Sequence, residues 1–387
     1  MRILQVHTHY RETGGEDVVV QAEAALLRRA GHEVLQHQVE NPRRAVAAAA
    51  ALAAAPWNPA AARDLRRMAE RVRPDVVHVH NTWFALSPAV LPAFGRAGVP
   101  VVMTLHNYRL LCANGLLFRD GHPCEDCVGS HPWHSVRHGC YRGSAAQSIP
   151  VAATIALHRR RRTWDRDVEL FLALNEFSRA LFVRGGLPPD RILVKPNSVP
   201  DPGMRTVPAE RSSTVLVVGR LADQKGVHLL LEAWRRFANR SLELVVVGDG
   251  PARADLERLG VPGVRFAGRL APEQVRELML AGRALAFPSR SYEGQPMVVL
   301  EALAAGLPVL ASDLGGLPEL LRPTGAGWLI PPGDAAGWTG ALRGLTRTAP
   351  VGQASAAALR LYQRVFTEER AARALEDAYE RARARQL

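Results

Sequence analysis

Short runs of β-branched and aliphatic residues alternate along this chain with longer stretches whose apolar positions recur every three or four residues. Apolar runs of four to eight residues bounded by turn residues read as buried strands, and the longer period reads as helices laid against them. The first half predicts strands at 2–7 (RILQVH), 32–39 (HEVLQHQV), 75–80 (DVVHVH), 100–106 (PVVMTLH), 169–175 (ELFLALN) and 191–197 (RILVKPN). Helices are predicted at 17–30 and 45–55, the second so rich in alanine that it reads either as a helix or as a poorly ordered lid. Residues 199–212 (VPDPGMRTVPAERS) carry proline and polar residues without a period and read as a linker. The pattern then restarts, with strands at 213–219, 242–248, 264–268, 284–289 and 308–312 and helices at 225–238, 251–259, 272–282 and 296–305. Such alternation builds parallel sheets covered on both faces. The predicted fold class is therefore α/β, with two doubly wound, Rossmann-like domains, 1–198 and 213–366, facing a cleft. Functional residues of such sheets belong in the loops just after the strands.

One predicted helix breaks its own pattern. In SYEGQPMVVLEALAAGLPVLAS, residues 291–312, Glu301 stands among Val298, Val299, Leu300, Ala302 and Leu303. Pro296 suits the first helical position, which leaves Glu293 in the loop just ahead and Glu301 about one and a half turns inside. A buried carboxylate without a partner costs several kcal/mol, so Glu301 must face a polar cleft or pair within the domain. Two carboxylates here suit hydrogen bonds from hydroxyl groups better than they suit phosphate.

Two other loops carry candidate chemistry. In THYRETGGEDVVV, Gly14 and Gly15 precede Glu16 and Asp17, acids that favour a helix N-terminus. Such a turn lets backbone amides approach a phosphate, although most Gly-Gly pairs are simply tight turns. No GxGxxG follows a strand, which argues against a dinucleotide oxidoreductase. In VVGRLADQKGVHLLLEAW, 217–234, Arg220 and Lys225 bracket the turn from strand to helix, an arrangement suited to a diphosphate or to an ordinary solvated loop. Composition sharpens this one: of 49 basic residues 47 are arginine, and the lysines are Lys195 and Lys225. A lysine in so biased a chain marks a place for a compact ammonium; Lys195 has no such context and reads as a chance survivor.

The 387 residues suit two domains, and 47% hydrophobic with 22% charged residues suits a soluble globular protein. Met1 leads straight into a strand, so the expected compartment is the cytoplasm. The formal charge of +12 divides evenly, +6 on residues 1–190 and +6 on the rest, unlike the concentrated patch of a nucleic-acid binder. The one dense run, HRRRRTWDR at 158–166, reads as a solvated helix end or as a surface for peripheral contact with anionic lipid.

All four cysteines fall in one Gly-rich segment, Cys112, Cys124, Cys127 and Cys140, spaced C-x11-C-x2-C-x12-C. The pattern suits a four-cysteine structural zinc site, with His122, His131, His134 and His138 as substitute ligands. Two disulfides, unfavourable in the cytoplasm, and four free thiols are the alternatives. The segment, 108–143, reads as an insertion directly after His106.

The stretch YEGQPMVVLEALAAGLPVLASDLGGLPELL resembles the retaining nucleotide-sugar glycosyltransferases of family four, with the GT-B fold and its E-x7-E motif. Supporting parts occur in order over nearly the whole chain: the Gly-Gly loop, TLHN, GRLADQKG, GDGP, FAGRL and then E-x7-E. The resemblance implies that Glu301 binds the donor's ribose and Glu293 the hydroxyls of its sugar. Arg220 and Lys225 would neutralise the diphosphate, helped by backbone at Gly15 and around Gln295, Pro296 and Met297. Backbone near Arg269 would face the nucleobase, and His106 would be the active-site histidine near the acceptor. The first domain would be the acceptor side, and a terminal helix within 367–387 would cross back onto it. The implied reaction transfers a hexosyl unit with retention to a saccharide, lipid-linked or small natural-product acceptor, with no catalytic metal and no nucleic acid. The rivals are a nucleotide-sugar epimerase of the same architecture, or a non-catalytic protein binding through the cysteine-rich and arginine-rich surfaces.

Overall fold

Sheets buried on both faces need strands that are apolar throughout, and the Val-rich runs of this chain meet that need. A computed structural model describes residues 1–10, 14–239 and 241–386. It resolves into two compact units, one of residues 1–117, 124–196 and 369–387, the other of 118–123 and 197–368. In the first, six parallel strands lie in the order Glu33–Glu40, Arg2–His9, Val76–Asn81, Val101–Leu105, Leu170–Ala173 and Ile192–Val194. The second repeats the plan with Val264–Gly268, Glu243–Val247, Thr214–Val218, Ala284–Phe287, Val309–Ser312 and Gly327–Ile330. The last of these strands was not predicted, being four residues that open on a glycine.

The terminal helix Glu368–Gln386 supplies Leu375, Ala378, Tyr379 and Ala382 to the core of the first unit, against Ile3, Val34, Val76, Val102 and Leu170. In the second unit the helix Met297–Ala304 seats Val299, Leu300, Ala302 and Leu303 against Leu285, Val309 and the helix Thr348–Val365.

Two expectations are corrected. Residues 199–212, which read as a linker, belong to the second unit and are anchored in it. Val199 is buried, its amide donating to Phe366 O, while Arg205 donates to the carbonyls of Met279, Ala305 and Gly282. The arginine's five donors replace the missing periodicity with anchors. The cysteine segment is also not all of a piece. Its hairpin, Phe118–Arg119 paired with His122–Pro123 around an Asp120-Gly121 turn, clusters with the second unit, where Arg290 Nη2 donates to Gly121 O at 2.7 Å.

Gly248, at the end of Glu243–Val247, has φ 129° and lies so close to its neighbour that a Cβ would sit 1.9 Å from Gly219 O. Gly248→Ala should therefore destabilise the second unit by roughly 2 kcal/mol or more, read as a lowered midpoint in urea unfolding; a midpoint like that of the unchanged chain would contradict this packing.

Candidate functional site

The second unit brings its candidate residues to the strand ends. Lys225, at the end of the short turn Asp223–Lys225 after Thr214–Val218, places Nζ 2.7 Å from Glu293 Oε1 and 5.6 Å from the Phe287 ring. Ser289 Oγ donates to the same carboxylate oxygen at 2.6 Å. Gly226 makes this approach possible: a Cβ there would lie 2.1 Å from Pro288 O. Arg220 is exposed in the loop immediately after the strand, and Arg269 is exposed just after Val264–Gly268.

Pro296 is the residue before the helix rather than its first helical residue, with φ −69° and ψ 119°. The helix starts at Met297, so Glu301 is its fifth residue, and Pro296 brings no N–H to the helix start. Gln295 looks the other way, its Oε1 accepting from Asn197 N at 2.6 Å. Glu301 opens into a cavity of about 560 Å³, lined also by Val218, Leu270, Arg276, Asp201 and Pro200. Burial raises its carboxyl above the ordinary value, and among the described residues no hydrogen bond or ion pair offsets that.

In the first unit, residues 11–13 of the Gly-Gly loop lie outside the described residues. Gly14 caps the helix Gly15–Arg29 with φ −119°, so no left-handed turn is involved, and Gly15 is exposed in the first turn. Asp17 turns back to accept from the Gly14 amide at 2.7 Å, and His7 Nε2 and His9 Nδ1 each donate to its other oxygen at 2.8 Å. Burial alone would raise Asp17, but these hydrogen bonds prevail and hold it at about 2. Neighbouring Glu16 goes the opposite way, pushed up to about 8 by burial against the hydrogen bond from Asn107 Nδ2. His106 directly follows the strand Val101–Leu105, with Nε2 3.0 Å from His80 Nδ1, and burial holds both imidazoles well below their ordinary value.

Behind these lies a residue the sequence reading passed over. Lys195, 2% exposed, ion-pairs with Glu23 of the helix Gly15–Arg29, also 2% exposed. The signal was present: the same rarity that singled out Lys225 applies to Lys195.

Two clusters of described residues bring three potential ligand atoms within 4.8 Å of one another: His7, His9 and Asp17, and Glu23, His78 and His80. Hydrogen bonds and the lysine pair account for most of these contacts. Cys112 and Cys127 are buried, Cys124 and Cys140 partly so. Burial, and then the thiols of Cys112, Cys140 and Cys124, push Cys127 up to about 12.

In the arginine run Arg160, Arg161 and Arg162 are exposed, as a solvated helix end requires, while Arg159 is half-buried. Arg159 donates to Ser130 O and Cys127 O, bracing the cysteine segment, and Arg161 lies 4.4 Å over the Trp57 ring. Among the described residues no single helix is long and apolar enough to cross a membrane.

The high Glu16 value has a sign. The folded chain holds this proton more tightly than the unfolded chain, so the contribution is full below the ordinary carboxylate range and is lost as pH rises toward about 8. Stability should fall across that window by at most about 1.4 kcal/mol per pH unit, and Glu16→Gln should flatten the dependence in urea titrations at successive pH values; an unchanged slope would refute it.

Comparison with known proteins follows the same division. The family described as "Glycosyl transferase 4-like domain" matches residues 14–198, and "Glycosyl transferases group 1" matches 212–348. The chain is 36% identical over 125 residues to the alpha-D-kanosaminyltransferase of Streptomyces kanamyceticus, covering 30% of this chain and 32% of that protein. It is 35% identical over 125 residues to a sulfoquinovosyl transferase of Arabidopsis thaliana, covering 31% and 24%. The matched stretches thus span a third or less of those relatives' length. Among solved structures, HepE of Anabaena in complex with UDP superposes with TM-score 0.70 at 18% identity, covering 98% of this chain and 100% of that one. Sucrose-phosphate synthase of Thermosynechococcus elongatus does so with 0.71 at 16%, covering 99% of each. With two consecutive family matches and this shared GT-B fold, the chain belongs to the group 1, family-four type of glycosyltransferases.

Proposed function

We propose that the chain transfers a hexosyl unit, with retention, from a nucleotide diphosphate sugar to a saccharide, lipid-linked or small natural-product acceptor. Glu301 carries this reading: a carboxylate on an otherwise apolar helix, without a partner among the described residues, facing a cavity of about 560 Å³. Vicinal ribose hydroxyls would supply the hydrogen bonds that burial otherwise denies it. The nucleobase would lie toward Leu270, next to the backbone of Arg269. Lys225 and Arg220 would meet the diphosphate together with the start of the helix at Met297. Lys225 would then exchange Glu293 for phosphate and release that carboxylate to the sugar's hydroxyls. As the glycosidic bond breaks, negative charge grows on the diphosphate, where the cations stand, and the departing phosphate takes the acceptor's proton. Structures of HepE with UDP and with UDP-glucose show that this fold accommodates such donors in that protein. A lipid-linked acceptor would find apolar surface on the helix Ala45–Ala54, which buries none of its residues and leaves Val46 85% exposed.

Glu301→Gln should weaken the binding of UDP-glucose, or of whichever donor of a nucleotide-sugar panel binds best, by about tenfold in calorimetry; equal affinity would remove the ribose assignment.

We also propose that Cys112, Cys124, Cys127 and Cys140 form a structural zinc site. The fit is one of chemistry: the three other thiols, Cys112, Cys124 and Cys140, lie close enough to Cys127 for each to act on it, and the Ser135 amide faces its sulfur. Zinc would hold them as thiolates at about 2.3 Å, drawing the segment tighter. Metal analysis should find about one zinc per chain, lost in Cys127→Ser; four titratable thiols without zinc would end this reading.

A further inference from the structure

Beneath His106, the first unit holds a line of buried polar groups that neither the donor site nor the cysteine segment uses. His78 and His80 sit two residues apart on the strand Val76–Asn81, hence on one face, and are 0% and 3% exposed. His78 is satisfied on both sides, Nδ1 with Tyr379 OH and Nε2 with Thr104 Oγ1, each at 2.8 Å. His80 is not. Its Nδ1 meets His106 Nε2 at 3.0 Å, while its Nε2 faces Glu23 Oε2 at 3.8 Å, and both of these facing atoms are buried without a hydrogen-bond partner among the described residues. Glu23's other oxygen is engaged by Lys195.

The contact between two neutral imidazoles needs one proton, and two arrangements provide it. If His80 Nδ1 carries the hydrogen, His80 Nε2 turns a lone pair toward a carboxylate in a dry interior, where like partial charges repel strongly. If His106 Nε2 carries it, His80 Nε2 must be the protonated atom, and its N–H points at Glu23 Oε2. Lys195 occupies only the carboxylate's other oxygen, which leaves Oε2 without a donor unless His80 Nε2 carries the hydrogen, and so favours the second arrangement. The neutrality of both rings, enforced by burial, keeps the choice binary.

We propose that Glu23 and His80 are positioning residues that fix His106 in its Nε2–H tautomer, so that its remaining nitrogen, Nδ1, is a hydrogen-bond acceptor for a substrate hydroxyl. Nδ1 has no partner among the described residues and His106 is only partly buried. The consequence is a histidine that accepts rather than donates, suited to orienting the hydroxyl that attacks the sugar. This rests on the reading of His106 as an acceptor-side residue.

The tautomer itself can be read without any substrate. Protein labelled with 15N-histidine, with His106 assigned by comparison with His106→Gln, should show in long-range proton–nitrogen correlation spectra a protonated Nε2 and an unprotonated Nδ1. In His80→Phe the His106 signals should move to a mixture of tautomers, and kcat should drop about tenfold or more while donor affinity in calorimetry is unchanged. His80→Asn, whose amide oxygen can accept from His106 Nε2, should retain the tautomer and most of kcat. A His106 protonated on Nδ1 in the unaltered protein, or a His80→Phe protein that folds with tautomer and kcat unchanged, would overturn the proposal. Absence of any sugar transfer would count against the proposed function and leave the tautomer assignment to stand or fall on its own spectrum.

Discussion

A strand that must run parallel to its neighbour cannot be reached by a hairpin; the chain has to cross the sheet and re-enter from the same end. Every neighbouring pair in the two main sheets obeys this constraint. All strand exits of a sheet therefore open at one edge, and side chains far apart in sequence become neighbours there. His80 is the last but one residue of its strand and His106 directly follows the adjacent one, and Lys195 follows the strand Ile192–Val194 to reach Glu23 on the first helix. Lys225 and Glu293 likewise follow two strands that lie side by side, Thr214–Val218 and Ala284–Phe287. The chemistry follows from the topology.

The two lysines show how burial alone separates roles. Each is paired with a glutamate. Lys195 and Glu23 are sealed, and loss of either partner would strand a charge in a dry interior at a cost of several kcal/mol. Lys225 and Glu293 retain side-chain exposures of 30% and 15%, so water already shares the work of solvating them. A pair of that kind can part and take new partners cheaply. One interaction is architecture and the other is free to be chemistry.

Strand positions were legible because strands buried on both faces carry a dense apolar signal, and the E-x7-E stretch was legible because an acid among valines and leucines contradicts its own neighbours. Gly327–Ile330 was too short to announce itself. The helix start was misjudged by one position, since Pro296 suits both the first helical residue and the residue before it. Residues 199–212 looked loose because the groups that hold Arg205 are carbonyls of distant segments, which no local period reveals. Within the 158–166 run Arg160 to Arg162 are exposed as read, and Arg159 alone departs, because charge does not show that it is spent on carbonyls of the cysteine segment. The histidine line was invisible for another reason: His78 and His80 read as strand residues, and their partners come from two helices and a neighbouring strand that are distant in sequence.

The return of the last helix to the first unit has a consequence for synthesis. Leu375, Ala378 and Tyr379 complete a core begun by Ile3 and Val34, so a nascent chain leaving the ribosome carries the first sheet with an unfinished apolar face. The whole of residues 197–368 must be made before that face is covered. Domains normally fold in the order in which they are made; here the first unit to begin is the last to close, and the interval is one in which a chaperone, or another nascent chain, would find it open.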